Sequence, residues 1–181
     1  MKKICLLLIC LPILAVSQVD NECYRSNNKT FKDSVIQEMF RLVNQHRLKH
    51  NLDKFIWDKK LQKACKKHSM YQAYEDKMCH WQHNTKNPYY VSKYPQDRSN
   101  AKRENVAYGY YFNSKDYNPW ETKIENAKEI ALRLFTLWKE SPGHNRNMID
   151  PNLTYFAFDY YAYVHVKTKY YDKFYSAQLF R

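Results

Sequence analysis

Glycine occurs only twice in the 181 residues, at Gly109 and Gly143. Loops that grip dinucleotides or nucleoside triphosphates need several glycines within a few positions, so those enzyme classes are excluded. Acidic residues are also scarce: 18 Asp and Glu stand against 30 Lys and Arg, for a formal net charge of +12. Beyond the first 17 residues no apolar run is long enough to cross a bilayer. What is abundant is hydrophobic content at 44% and aromatic content at 17%, which opposes low-complexity disorder. A chain of this length buries roughly 70% of its unfolded surface around one core and does not depend on dense disulfides.

Lys2 and Lys3, the apolar run Ile4 to Val16 and the small residues Ala15 and Ser17 form a signal-peptide pattern, with cleavage expected after Ser17. Residues 18–33 read as a polar tail and 34–181 as one domain. Export removes Cys5 and Cys10 and leaves Cys23, Cys65 and Cys79, an odd number that allows at most one internal bridge. Their pairing is left open. Asn28-Lys29-Thr30 and Asn152-Leu153-Thr154 fit the glycosylation acceptor pattern.

Ser34 and Gln37 have capping-box spacing, and Val35, Met39, Leu42, Val43 and His46 recur on one helical face, which predicts a helix over about 34–49. Asp58 is placed to cap a second helix, ending near Tyr74. On that helix Leu61, Ala64, Cys65, His68 and Tyr71 share one arc, and Lys59, Lys63, Lys66 and Lys67 share the opposite one. From Glu75 to about Asn105 periodicity vanishes, and the stretch reads as a long functional loop. A third helix is expected over about 124–140. Ser141 and Pro142 then have the residue types of an N-cap and a first helical position. Tyr155 to Val166 and Tyr170 to Phe180 are dense in Tyr, Phe and Val and read as two paired strands turning across Lys167 to Lys169.

Both glycines lie in short stretches that stand out together. They are Cys79-His80, Glu104-Asn105-Val106-Ala107-Tyr108-Gly109, and Trp138-Lys139-Glu140-Ser141-Pro142-Gly143-His144-Asn145-Arg146-Asn147-Met148. With Asn44-Gln45-His46-Arg47, Trp57-Asp58 and Tyr175-Ser176-Ala177-Gln178-Leu179-Phe180, in this order, the chain closely resembles the CAP superfamily. That superfamily joins cysteine-rich secretory proteins, antigen 5, pathogenesis-related proteins and SCP-like extracellular proteins. The Ser-Pro-Gly-His form resembles the bacterial-type branch. The resemblance implies an α+β fold, a three-layer α-β-α sandwich with a small, largely antiparallel central sheet. It also implies a cleft in which His80, Glu104 and His144 correspond to family positions, with Asn105, Ser141 and Tyr175 around them. Two positions depart: a glutamate of plant and animal members is Ser141 here, and a histidine is Tyr175.

Two imidazoles and a carboxylate supply three ligands for zinc or another divalent metal, with one position open for water. The same three groups can equally satisfy one another as a polar network. His83 reads as an exposed loop residue, His68 as a satisfied core histidine and Cys79 as a bridge or plain thiol rather than a nucleophile. The function expected is a secreted binding module for a small apolar ligand, such as a lipid or sterol, or for a metal in the His/Glu cleft. One alternative is a metal-dependent hydrolase with Glu104 as general base. Another is a secreted effector acting through its basic surface. The lysine row of the second helix suits an anionic surface, but it lacks the interleaved aromatics of a nucleic-acid groove.

Overall fold

The computed structural model describes residues 28–84, 87–92, 99–112, 126–164 and 171–181. The expected signal peptide, Cys23, most of the polar tail and the turn at 167–169 lie outside the described residues. Helix α1 spans Lys29–Lys49 and α2 spans Lys59–Tyr74; α3 (Ala127–Glu140) is followed directly by the short α4 (Pro142–Met148). The strands are β1 (Ile56–Trp57), β2 (Gln82–Asn84), β3 (Asn87–Ser92), β4 (Arg103–Phe112), β5 (Tyr155–Val164) and β6 (Tyr171–Phe180).

The main sheet has the order β1-β5-β6-β4, parallel only between β1 and β5, while β2 and β3 form a separate antiparallel pair. Period-two alternation divides β5 and β6 between two cores. Phe156, Phe158, Tyr160, Ala162, Phe174 and Phe180 meet α1 and α3, through Val35, Met39, Val43, Ile130, Leu134 and Trp138. The opposite face sends Ala157, Ala177 and Leu179 against Leu61, Ala64 and Cys65 of α2. Three layers result: α1 and α3, the sheet, and α2. This is the α+β sandwich expected from the motifs.

Three expectations need correction. Helix α1 begins at Lys29, not Ser34, because Asn28 is the N-cap and its Oδ1 accepts from the backbone N–H of Thr30 and Phe31. Ser34 is interior, its Oγ donating to the Thr30 carbonyl one turn back. Residues 29–33, read as part of the polar tail, form the start of α1. The supposed loop from Glu75 to Asn105 holds the β2–β3 hairpin and the start of β4. Ser141 does precede α4 with an extended backbone, but its side chain makes no capping bond. Elsewhere Asp58 caps α2 through Lys60 and Leu61 as expected, and α3 begins at Ala127, behind a capping box of Asn126 with Glu129 that was not expected from the sequence. Lys59, Lys63, Lys66 and Lys67 are all exposed.

Candidate functional site

Strand β4 is one edge of the main sheet, and its alternation separates the Glu-Asn motif. Glu104 turns toward α2 and Asn105 toward α1 and α4. The Glu104 carboxylate is 1% exposed and sits between two imidazoles, with Oε2 2.8 Å from His80 Nδ1 and Oε1 3.7 Å from His68 Nε2. His80 reaches it from the segment before β2 and remains half exposed. His68, on the inward arc of α2, is fully buried and has partners at both ring nitrogens: Nε2 lies 2.8 Å from the Cys79 carbonyl and Nδ1 2.9 Å from Gln82 Oε1. The carbonyl can only accept, so Nε2 of His68 carries a proton. His68 is thus the satisfied core histidine expected, and it also belongs to the Glu104 group, which its sequence position did not disclose.

His144 arrives on α4, half buried. Burial first, and the neighbouring His80 second, lower its pKa below the ordinary 6.5, favouring neutral imidazole at neutral pH. Helix α4 is fastened along β4 by amides. Asn105 Nδ2 donates to the His144 carbonyl at 3.1 Å and to Gln178 Oε1 at 2.8 Å. Asn147 Nδ2 donates to Asn105 Oδ1 at 2.8 Å and to the Glu104 carbonyl at 3.3 Å. Asn105 is fully buried and acts as a brace between α4 and the sheet.

Tyr175, on β6, is also buried, and its hydroxyl donates to Asp76 Oδ1 at 3.0 Å. Burial, opposed by Lys173 beside it, raises this phenol above its ordinary value. Lys173 pairs with the same carboxylate and lies against the rings of Tyr108, Tyr110 and Tyr175. Cys79 Sγ donates to the Trp81 carbonyl and Cys65 Sγ to the Ala157 carbonyl, so neither thiol is aimed as a nucleophile for His80. The side chain of His83 lies outside the described residues.

Of the donors expected for a metal, His80 and Glu104 are hydrogen bonded to each other. Among the described residues no group of three or more His, Cys, Asp or Glu side chains is arranged to hold a metal ion. Glu104 Oε2 faces His80 and Oε1 faces His68, so the carboxylate is shared between those two imidazoles.

A hollow of different character lies at the opposite edge of the sheet. Asp33, Ile36, Gln37 and Phe40 of α1, Trp57 of β1 and Gln62 of α2 line an open groove of about 310 Å³. Its wall is aromatic: Phe40 and Trp57 meet edge to face at 5.3 Å, and both contact Phe156. Trp57 Nε1 donates to Gln62 Oε1, and Gln62 Nε2 donates to Asp159. Asp159 is buried and paired with Lys32 at 2.6 Å; burial outweighs that partner and raises its pKa. None of the six groove residues belongs to the expected site. Three elements contribute them, and no single stretch of sequence carries their signature.

The family model for CAP, the cysteine-rich secretory protein family, matches residues 40–178. Among solved structures, an extracellular protein containing an SCP domain from Bacillus anthracis str. Ames is 17% identical with a TM-score of 0.49. The match covers 83% of this chain and 41% of that one, so this chain spans less than half of that protein's length. An outer surface protein from Borrelia burgdorferi is 15% identical with a TM-score of 0.49, over 82% of this chain and 92% of that one. No curated protein matches.

Proposed function

The chain belongs to the CAP, or cysteine-rich secretory protein, family, and on that premise we propose that it is a secreted, non-catalytic binding module for a small apolar ligand. The ligand occupies the groove between α1 and α2 rather than the His/Glu cleft. Export is supported by Lys2, Lys3, the apolar run after them and Ala15-Val16-Ser17. Among the described residues no helix is long and apolar enough to cross a membrane.

The observation that carries the reading is the groove itself. Its volume of about 310 Å³ is at the lower end for small-molecule sites, and its make-up is the usual one: aromatic walls with a few polar groups to fix orientation. Phe40, Trp57 and Ile36 would take the apolar body, such as a fatty acyl chain, while Gln37, Gln62 and Asp33 face its polar end. The His80–Glu104–His68 group serves here as a tie between α2, the segment before β2, and β4. No observation favours the hydrolase alternative, since the Glu104 carboxylate is almost wholly enclosed and already hydrogen bonded.

A fluorescent fatty acid titrated into the protein tests this. Saturable binding is expected, with a change in Trp57 emission that disappears in Trp57→Phe. Gln37→Trp, which adds bulk at an exposed rim position, is expected to weaken binding at least about tenfold. Binding untouched by Gln37→Trp, or abolished by His80→Ala alone, would place the ligand elsewhere.

A further inference from the structure

At the C-terminal end of α1 a second pair of histidines comes together. His46 and His50 are four residues apart, the spacing that puts two side chains on one helical face and that recurs in zinc-binding His pairs. Helix α1 ends at Lys49 and His50 is its C-cap, with φ −101° and ψ 14°, so its side chain stays about one turn beyond His46. The two rings lie 4.7 Å apart, nearly perpendicular. His46 is buried against Phe135 of α3, and its Nε2 lies 2.7 Å from Oδ1 of Asn145 on α4. His50 is exposed, so solvent reaches the pair from one side.

We propose that His46, His50 and Asn145 form a binding site for a late first-row divalent cation, with Nε2 of His46, one ring nitrogen of His50 and Oδ1 of Asn145 as ligands and water completing the shell. Imidazole is a ligand suited to zinc, nickel and copper. Asn145 Oδ1 now accepts the Nε2–H of His46 at 2.7 Å; on metal binding that proton shifts to Nδ1 of the same ring or leaves to solvent, and the two atoms part by only about half an ångström to sit around an ion with ordinary zinc bond lengths. Two of the three ligands are nitrogens and none is a carboxylate, which sets the site apart from the oxygen sites of calcium or magnesium; Lys49 and Lys139 nearby weaken all divalent cations alike. The ion would clamp the C-terminus of α1 to α4, which carries His144.

Zinc titration by calorimetry on the full chain tests the site, followed by copper electron paramagnetic resonance. One zinc per chain is expected, with affinity at least about tenfold weaker in His50→Ala, a surface change that leaves the core intact. Asn145→Asp supplies a carboxylate oxygen in place of an amide and should tighten binding, and the copper spectrum should show coupling to two nitrogens. Zinc affinity unchanged in His50→Ala, whatever His80→Ala and His144→Ala do, overturns the proposal, as does the absence of saturable binding. None of these outcomes bears on the groove, whose ligand is tested separately.

Discussion

Asn44 and Arg47 show how motif residues that look like site candidates act as fasteners. Asn44 Oδ1 accepts from the Phe55 N–H at 2.7 Å, and its amide donates back to the Phe55 carbonyl, as a strand partner would. The buried Arg47 guanidinium stacks on Phe55 and donates to the carbonyls of Asp53, Met148, Asp150 and Leu153. It thereby holds the turn after α1 against the turn after α4, where no regular ladder could satisfy those carbonyls. Glu104 belongs to the same class. Its sequence motif was legible, and so was its link to His80, but His68 was hidden among the apolar residues of its helix arc. The two histidines should differ in energetic weight. Glu104→Ala empties the enclosed space between His68 and His80 and takes away the hydrogen-bond partner of His80, and is expected to cost about 2 kcal/mol of unfolding free energy. His80→Ala takes the 2.8 Å partner from the enclosed carboxylate but opens the place of a half-exposed ring to water, and should cost about 1 kcal/mol. Urea denaturation of the two variants checks this order, and equal losses would mean that His80, not His68, sets the cost.

The helices were legible from their apolar arcs, and Asp58 marked the start of α2 as well, whereas the starts set by Asn28 on α1 and by Asn126 with Glu129 on α3 lay outside the periodic pattern. Strand β4 was not, since Glu104, Asn105 and Gly109 are residue types that strands disfavour. Each is nonetheless held by a contact from elsewhere in the chain: Glu104 by histidines, Asn105 by Gln178 and Asn147, and Gly109 by Phe174. Gly109 faces Phe174 across the β4–β6 ladder, and a Cβ built there would lie 2.8 Å from the tip of that ring. Phe174 is itself buried in the α1/α3 core and has little room to yield. Gly109→Ala should therefore destabilise by about 1–3 kcal/mol. The chain's other glycine gives the opposite expectation. Gly143 lies in the first turn of α4 with no positive φ, and nothing stands within 4 Å of an added Cβ. Gly143→Ala should stabilise by up to about 1 kcal/mol, by restricting the unfolded chain and favouring the helix. Thermal or urea unfolding of the pair reads both signs, and a destabilised Gly143→Ala would show that α4 needs its glycine for something other than space.

Across the whole molecule the sheet separates two chemistries. The β4 edge carries the histidines, Glu104 and α4, and the β1–β5 edge carries the aromatic groove, with β6 and the width of about two further strand spacings between them. The order of motifs in the sequence foretold the layered fold, yet the groove depends on the relative seating of α1, β1 and α2, which no local pattern records. The same seating sets how stability depends on pH. Burial lowers the pKa of both His46 and His144 below 6.5, the value each regains on unfolding. Between those lowered values and about pH 6.5 the unfolded chain binds more protons than the folded one, so stability rises with pH through that window and is lost as the solution is acidified. Asp159 works in the opposite sense: its raised pKa makes the folded chain the better proton binder above 3.8, which favours the fold on acidification near its own titration. Unfolding free energy measured from about pH 7.5 down to 5.5 should thus decline. His144→Gln, which leaves the α4 backbone contacts to Asn105 in place, should flatten the decline without removing it, because His46 still titrates. A slope identical to that of the parent protein would mean that His144 gains its proton as readily in the folded chain as in the unfolded one, and that α4 does not shelter it.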